Sequence, residues 1–139
     1  MKDCLFCNLD LEPTQTIILS NEHCRFLQLE QVNEKGIPLE GSGVIVPKLH
    51  RETPFDLTPE EWNATYTLLQ DVKKYLDEKY NPQGYNLGWN CGAVGGQHIL
   101  HSHFHVLPRY EDETLAGKGI RYMFKGSNNR RKNGALLKD

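Results

Sequence analysis

The amino-acid sequence predicts an antiparallel α+β fold of about five strands and one main helix. Three observations carry this: short β-branched and aromatic runs between turn residues, one long stretch of helical period, and strands that follow one another in hairpins instead of alternating with helices. Residues 16–19 and 24–29 read as two strands joined by the polar turn Ser20-Asn21-Glu22-His23, in which His23 is a plain exposed turn residue. Residues 43–46 form a third β-branched run, stopped by Pro47, which has no N–H for a sheet ladder; His50 sits just beyond. The helix starts at Thr58-Pro59-Glu60-Glu61, where Thr58 can cap, Pro59 suits the first turn and the acids favour the positive end of the dipole. It is expected to reach about Tyr80, with Trp62, Tyr66, Leu69, Val72 or Lys73, and Leu76 as its core stripe, before Asn81-Pro82-Gln83-Gly84 breaks it. Residues 85–90 alternate as a fourth strand, 92–96 form a glycine-rich loop, and 99–107 alternate again until Pro108.

With 139 residues, 38% of them apolar, the chain fits one domain and one active site per protomer. No run approaches the roughly 18 residues of a membrane span, and the start Met1-Lys2-Asp3-Cys4-Leu5-Phe6-Cys7 has no secretory character, so the cytoplasm is the expected compartment. Residues 1–117 carry 9 Lys/Arg against 17 Asp/Glu, net −8, while residues 118–139 carry 7 against 1, net +6. This divides the chain into a domain over 1–117 and a basic, solvated tail over 118–139 with Lys118, Arg121, Lys125 and the run Arg130-Arg131-Lys132. Nucleic acid is not the expected partner, since no zinc finger or second domain follows to read it. Cys24 and Cys91 are expected to be small buried hydrophobes. The close pair Cys4 and Cys7 reads as a metal knuckle or as free thiols.

The chemistry concentrates in His101-Ser102-His103-Phe104-His105-Val106-Leu107. On a strand, alternate residues share a face, so all three histidines point one way while Phe104 and Val106 take the core side, with small Ser102 near its edge. At roughly 6.6 Å per two residues, the backbones of His101 and His105 stand about 13 Å apart, too far for one ion to hold all three rings easily. A division of labour follows, in which the central imidazole reacts and its neighbours orient it or polarise the substrate. No G-x-S-x-G, phosphate-binding P-loop, dinucleotide fingerprint or H-E-x-x-H competes with it. Upstream, Gly92, Gly95 and Gly96 can bring backbone N–H groups close to a phosphate, and Asn90 and Gln97 add amide donors.

The run Asn90, Gly95-Gly96-Gln97, His101, His103, His105, Val106, Leu107 resembles the signature of the histidine triad family. Residues 44–50 resemble that family's strand ending in Pro-Lys-x-His, and residues 4–7 its N-terminal knuckle, so the likeness spans about residues 4–110. It implies a nucleotidyl hydrolase acting on dinucleoside polyphosphates or nucleoside phosphoramidates at the α-phosphate, with His103 the nucleophile that forms a covalent nucleotidyl intermediate. It further implies that His105 meets the α-phosphate or leaving group, that Asn90, Gly96 and Gln97 hold phosphate oxygens, and that the molecule is a homodimer. Three positions depart from the pattern. Ser102 is polar where the signature is apolar, His98 replaces a usual Ser or Thr and either donates to phosphate or faces solvent, and Ser42 stands where many relatives carry His. The ribose-binding acid aligns only loosely, with Leu29 or Glu30.

Cys4 and Cys7, with His50 and His101, could complete a tetrahedral Cys2His2 set, and a zinc-bearing bacterial branch of the family has ligands at these positions. Four protein ligands imply a structural zinc; the other reading leaves two free thiols and a His101 that only hydrogen-bonds a carbonyl. No organic cofactor is expected. Two further readings stand beside the hydrolase: a metal-dependent enzyme using His50, His101, His103 and His105 as ligands of a catalytic zinc or iron, and a non-catalytic nucleotide-binding module.

Overall fold

A computed structural model describes residues 1–29, 38–126 and 128–132. Its elements are β1 (Gln15–Ser20), β2 (Cys24–Leu29), β3 (Gly43–Pro47), α1 (Pro59–Tyr80), β4 (Gly84–Gly88), β5 (Phe104–Arg109) and α2 (Arg121–Phe124), with short 3-10 turns at Leu9–Leu11 and Pro54–Asp56. The five strands form one antiparallel sheet in the order β1-β2-β3-β5-β4, with one main helix against it, as the sequence predicts. The β1–β2 hairpin turns where Asn21 Oδ1 accepts from the amides of His23 and Cys24, an Asx turn that fixes the tight reversal. His23 is partly exposed in that turn.

Sequence and structure agree closely on where α1 begins and ends. Thr58 Oγ1 accepts from the Glu61 amide at 3.1 Å while Glu61 Oε1 accepts from the Thr58 amide at 2.8 Å, a reciprocal capping box, and Asn81 closes the C-terminus at φ 51°. Of the predicted stripe, Val72 and Leu76 are buried and Leu69 packs against the core. The first turns differ: Glu61, Thr65 and Leu68 face inward, whereas Trp62 and Tyr66 are exposed and Trp62 stacks on Trp89 just after β4.

The helix-facing core joins Leu68, Val72 and Leu76 to Cys24, Phe26, Ile45, Phe104 and Val106. Each such aliphatic side chain removed from water contributes roughly 1.5–3 kcal/mol. On the other face of the sheet, Phe6 of the N-terminal segment packs on Leu27 and Val46. The sheet is thus covered by α1 on one side and by the chain's own beginning on the other. Cys24 is wholly buried, as expected, but Cys91 is only half-buried in its loop.

The fifth strand starts later than its alternation suggests. Residues 99–103 are irregular and β5 begins at Phe104, running through Pro108 to Arg109. Pairing with β3 stops at Val106, so Pro108 has only β4 beside it, the one-sided setting in which a strand tolerates proline. Beyond β5, Arg109 clasps the following segment by donating to Glu113 and to the carbonyls of Leu115 and Lys118, as well as to Asn86 Oδ1. The clasp crosses the expected boundary between 117 and 118. Past it, Ile120, Tyr122, Met123 and Phe124 are exposed.

Candidate active site

Within β5 the burial alternates as predicted, Phe104 and Val106 inward to α1 and His105 on the opposite face. There His103 and His105 stand with ring centroids 4.9 Å apart, edge to face, lining an apolar cleft of about 360 Å³. Leu27, Leu29 and Val44 of the sheet form one wall, and Leu5, Phe6 and Glu12 of the N-terminal segment face them. Ser42 and Gln15 also line it. The Glu30 position lies outside the described residues.

His103 Nδ1 is 2.8 Å from the carbonyl oxygen of His101. A carbonyl only accepts, so Nδ1 carries the hydrogen and Nε2 keeps the lone pair. Burial holds the His103 pKa below the ordinary histidine value, so the ring is neutral at pH 7. Burial, then the neighbouring His103, lowers His105 likewise. His105 Nε2 is buried and has no hydrogen-bond partner among the described residues.

His101 lies on the same N-terminal side of the sheet, since the Phe6 ring meets both His101 at 5.7 Å and His103 at 5.2 Å, but it lines no part of the cleft. Lying before β5, its wholly buried ring turns to the N-terminal knuckle. Its Nε2 donates to the Pro47 carbonyl at 2.8 Å, which leaves Nδ1 unprotonated, 3.4 Å from Cys4 Sγ and 3.5 Å from Cys7 Sγ. Cys7 Sγ is 3.3 Å from His50 Nδ1, and all four ligand atoms lie within 4.8 Å of one another. A tetrahedral ion with metal–sulfur and metal–nitrogen distances of about 2.3 and 2.0 Å has sulfur–nitrogen edges of about 3.5 Å, so the donors fit such an ion. Burial pushes His101 down to about 4, the neutral form a ligand requires. His103 and His105 stand outside this group. The histidines thus fall into two separate groups.

The glycine loop is built differently from the phosphate cradle the sequence suggests. The amides of Gly95, Gly96 and Gln97 donate to carbonyls within the loop, and that of Gly92 donates to Gln97 Oε1. The glycines have a steric reason to be glycine: Gly96 sits at φ +98°, and a Cβ on Gly95 would come 2.6 Å from the Cys91 carbonyl. Gln97 is 3% exposed, and both its amide hydrogens are engaged, by Glu52 O at 2.6 Å and Ile99 O at 3.0 Å. Its expected role as phosphate donor gives way to a brace, since no amide hydrogen remains. Asn90 is exposed and lies against Gly96, whose Cβ position is 3.4 Å from Asn90 Nδ2. The β4–β5 pairing ends at Gly88 with His105, two residues before Asn90. His98 is exposed and lines a different hollow, with Cys4 and His50, instead of the cleft beside His103. Of its two readings, the solvent-facing one fits.

The sequence reading missed the cleft's N-terminal wall and the pair Arg51 and Glu61. Arg51 Nε donates to both Glu61 oxygens at 3.0 and 3.2 Å, with the Glu61 side chain almost wholly buried. Glu61 shows in the sequence only as a capping acid. What signals more is a charged residue on a face that otherwise packs inward.

A family model described as the HIT domain matches residues 12–112. The chain belongs to the HIT domain family. An uncharacterized HIT-like protein of Methanocaldococcus jannaschii is 33% identical over 114 residues, 79% of this chain and 81% of that one. The crystal structure of a HIT family protein from Bacillus anthracis superposes with a TM-score of 0.67 at 28% identity, covering 79% and 75% of the two chains. The fold recurs in a Zn-bound histidine triad family protein from Mycobacterium smegmatis, with a TM-score of 0.68, 22% identity, and coverage of 85% and 83%. Two Schizosaccharomyces pombe relatives carry activities in their names: an adenosine 5'-monophosphoramidase, 29% identical over 58% of this chain and 57% of its own, and an asymmetrical bis(5'-nucleosyl)-tetraphosphatase, 31% identical over 56% and 42%. Among the described residues of this HIT protein, no helix is long and apolar enough to cross a membrane.

Proposed function

We propose that the protein is a nucleotidyl hydrolase that cleaves a dinucleoside polyphosphate or a nucleoside phosphoramidate at the α-phosphate through a covalent nucleotidyl-His103. The observation that carries this is the His103 tautomer: with Nδ1–H tied to the His101 carbonyl, a neutral Nε2 lone pair is available in the cleft that His103 lines. In the first step Nε2 attacks the α-phosphorus, a phosphorus–nitrogen bond forms, and the bond to the leaving oxygen or amine breaks as that group takes a proton. Water then displaces His103, which releases the nucleoside monophosphate and restores the neutral imidazole. His105 Nε2 serves the phosphate or leaving atom, Asn90, for which Gly96 leaves room, the phosphate oxygens, and the apolar cleft the nucleoside. The two named S. pombe relatives act on the two bond types at issue, which supports the reaction class.

Cys4, Cys7, His50 and His101 would hold a zinc ion, a reading supported by the tetrahedral edge lengths and by the Zn-bound neighbour of the same fold. Bound there, zinc is closed off by four protein ligands and staples the N-terminal wall of the cleft to the segment before β5. A second copy of the chain would cover the exposed Trp62 and Tyr66 of α1 beside Leu87 on edge strand β4. The cytoplasm is the compartment we propose, where Cys24 and Cys91 stay reduced and Cys4 and Cys7 remain available as ligands.

The test is intact-mass spectrometry of wild type and His103→Ala, each mixed briefly with diadenosine tetraphosphate and quenched without acid. Adenylation of wild type alone is the expected result. Equal hydrolysis by both proteins with neither labelled would overturn the nucleophile assignment.

A further inference from the structure

We propose that Arg51 and Glu61 are positioning residues for His103, acting through the peptide group between His101 and Ser102. The inference rests on the reading of His103 as the nucleophile. That peptide group is engaged at both ends. Its carbonyl accepts Nδ1–H of His103 at 2.8 Å, and its N–H donates to the Arg51 carbonyl at 2.6 Å. The peptide is trans, so its two ends point apart and the hydrogen bonds form a relay across it. Donation at one end polarises the carbonyl at the other and makes it a better partner for the imidazole N–H. The acceptor that Nδ1–H meets, and with it the direction of Nε2, is thus set by where the Arg51 backbone stands.

Arg51 is in turn held by its own side chain. Its Nε reaches both oxygens of Glu61, which is 3% exposed and is pinned by the Thr58 amide in the first turn of α1. An exposed pair of this kind would restrain little, but here the carboxylate has left water and its remaining freedom is small. The same short stretch meets the rest of the site: His50 belongs to the Cys4–Cys7 cluster, and the Glu52 carbonyl receives the Gln97 amide at 2.6 Å. Movement of Arg51 therefore reaches the nucleophile, the metal-type cluster and the glycine loop together.

The experiment compares full-length wild type, Glu61→Gln, Arg51→Lys and His103→Ala. Glutamine keeps the acceptor for the Thr58 cap and removes the charge that holds Arg51. We measure kcat and KM on diadenosine tetraphosphate, hydrogen exchange of the Ser102 amide, and the imidazole nitrogen shifts that report the His103 tautomer. Glu61→Gln is expected to lose between about tenfold and a hundredfold in kcat with KM changed less than about twofold. Its Ser102 amide exchanges faster and the Nδ1–H tautomer of His103 loses population, while Arg51→Lys falls between it and wild type. Wild-type kcat in the folded variants overturns the proposal, and so does a kcat loss with unaltered Ser102 and His103 signals. If Glu61→Gln does not fold, Arg51→Lys carries the same comparison. A fully active His103→Ala would sink the nucleophile reading, and the exchange and tautomer signals would then decide by themselves whether the relay exists.

Discussion

At the scale of single residues, the nitrogen of His103 proposed to react is selected by the other nitrogen of the same ring. A hydrogen bond to a fixed carbonyl settles the tautomer, and burial settles the charge. The sign of the pH dependence follows. A histidine whose folded pKa is depressed stays neutral below its ordinary value near 6.5, so nucleophilic activity persists as pH falls past about 6.5 and is lost only as pH nears the lower folded value. A pH profile of kcat/KM should accordingly show its acid limb below 6.5 and should be flat across the neutral range; a limb at or above 6.5 would show His103 to be solvated. Much of this was legible in residues 101–107, because strand alternation tells which residues face together. Alternation does not tell where the strand starts, and so the departure of His101 toward Cys4 and Cys7 could be read only from the Cys-x-x-Cys pattern and the likeness to a known family. The engagement of Gln97 by Glu52 and Ile99 was not legible at all, since it depends on two backbone carbonyls that any residue could present.

At the scale of elements, α1 was predicted with its ends nearly in place, because caps are local chemistry: Thr58, Pro59, Glu61 and Asn81 act within one turn of themselves. Its second half faces the core as expected, through Val72 and Leu76, while its first turns are rotated. Periodicity is nearly indifferent between Trp62 with Tyr66 and Thr65 with Leu68 as the residues that continue this stripe, and the choice falls to the shape of the sheet surface. The buried and the exposed positions make different predictions under denaturant. Leu76→Ala should destabilise by about 2–5 kcal/mol, as a cavity in a packed core does. Trp62→Ala should cost only about 0.5–1.5 kcal/mol in a single copy, the contribution of its stacking on Trp89, and approach the Leu76 loss where a second copy covers it as proposed. Urea unfolding of both variants at one protein concentration checks this, and equal losses would mean that Trp62 is covered in solution.

At the scale of the whole molecule, the sheet separates two tasks. The face under α1 holds the larger core, and the opposite face carries the cleft, with the N-terminal segment as its outer wall. That wall is a short stretch without regular strands, so its anchorage matters more than its own structure. An ion held by the Cys4, Cys7, His50 and His101 donors would stabilise the folded state by about 3 kcal/mol at a hundredfold excess over its Kd, which is on the order of 10 °C in a domain of this size. Calorimetry of the zinc-loaded and chelator-treated protein should therefore show Tm falling by that order on removal, and Cys4→Ser should abolish the difference. An unchanged Tm would mean that the cluster is held by its packing alone.

The anchor also has a history in time. Cys4 and His101 meet across 97 positions of chain, and Cys7 and His50 across 43. During synthesis the first two donors emerge at once, the third after nearly fifty residues, and the last only after α1 and β4 have been made. Until then Cys4 and Cys7 form an incomplete claw, able to seize a soft cation with no enclosure to complete it. Closing so long a loop costs chain entropy that only the assembled sheet can offset. An ion held there as proposed would therefore close a late joint in folding, latching the beginning of the chain to strands already made.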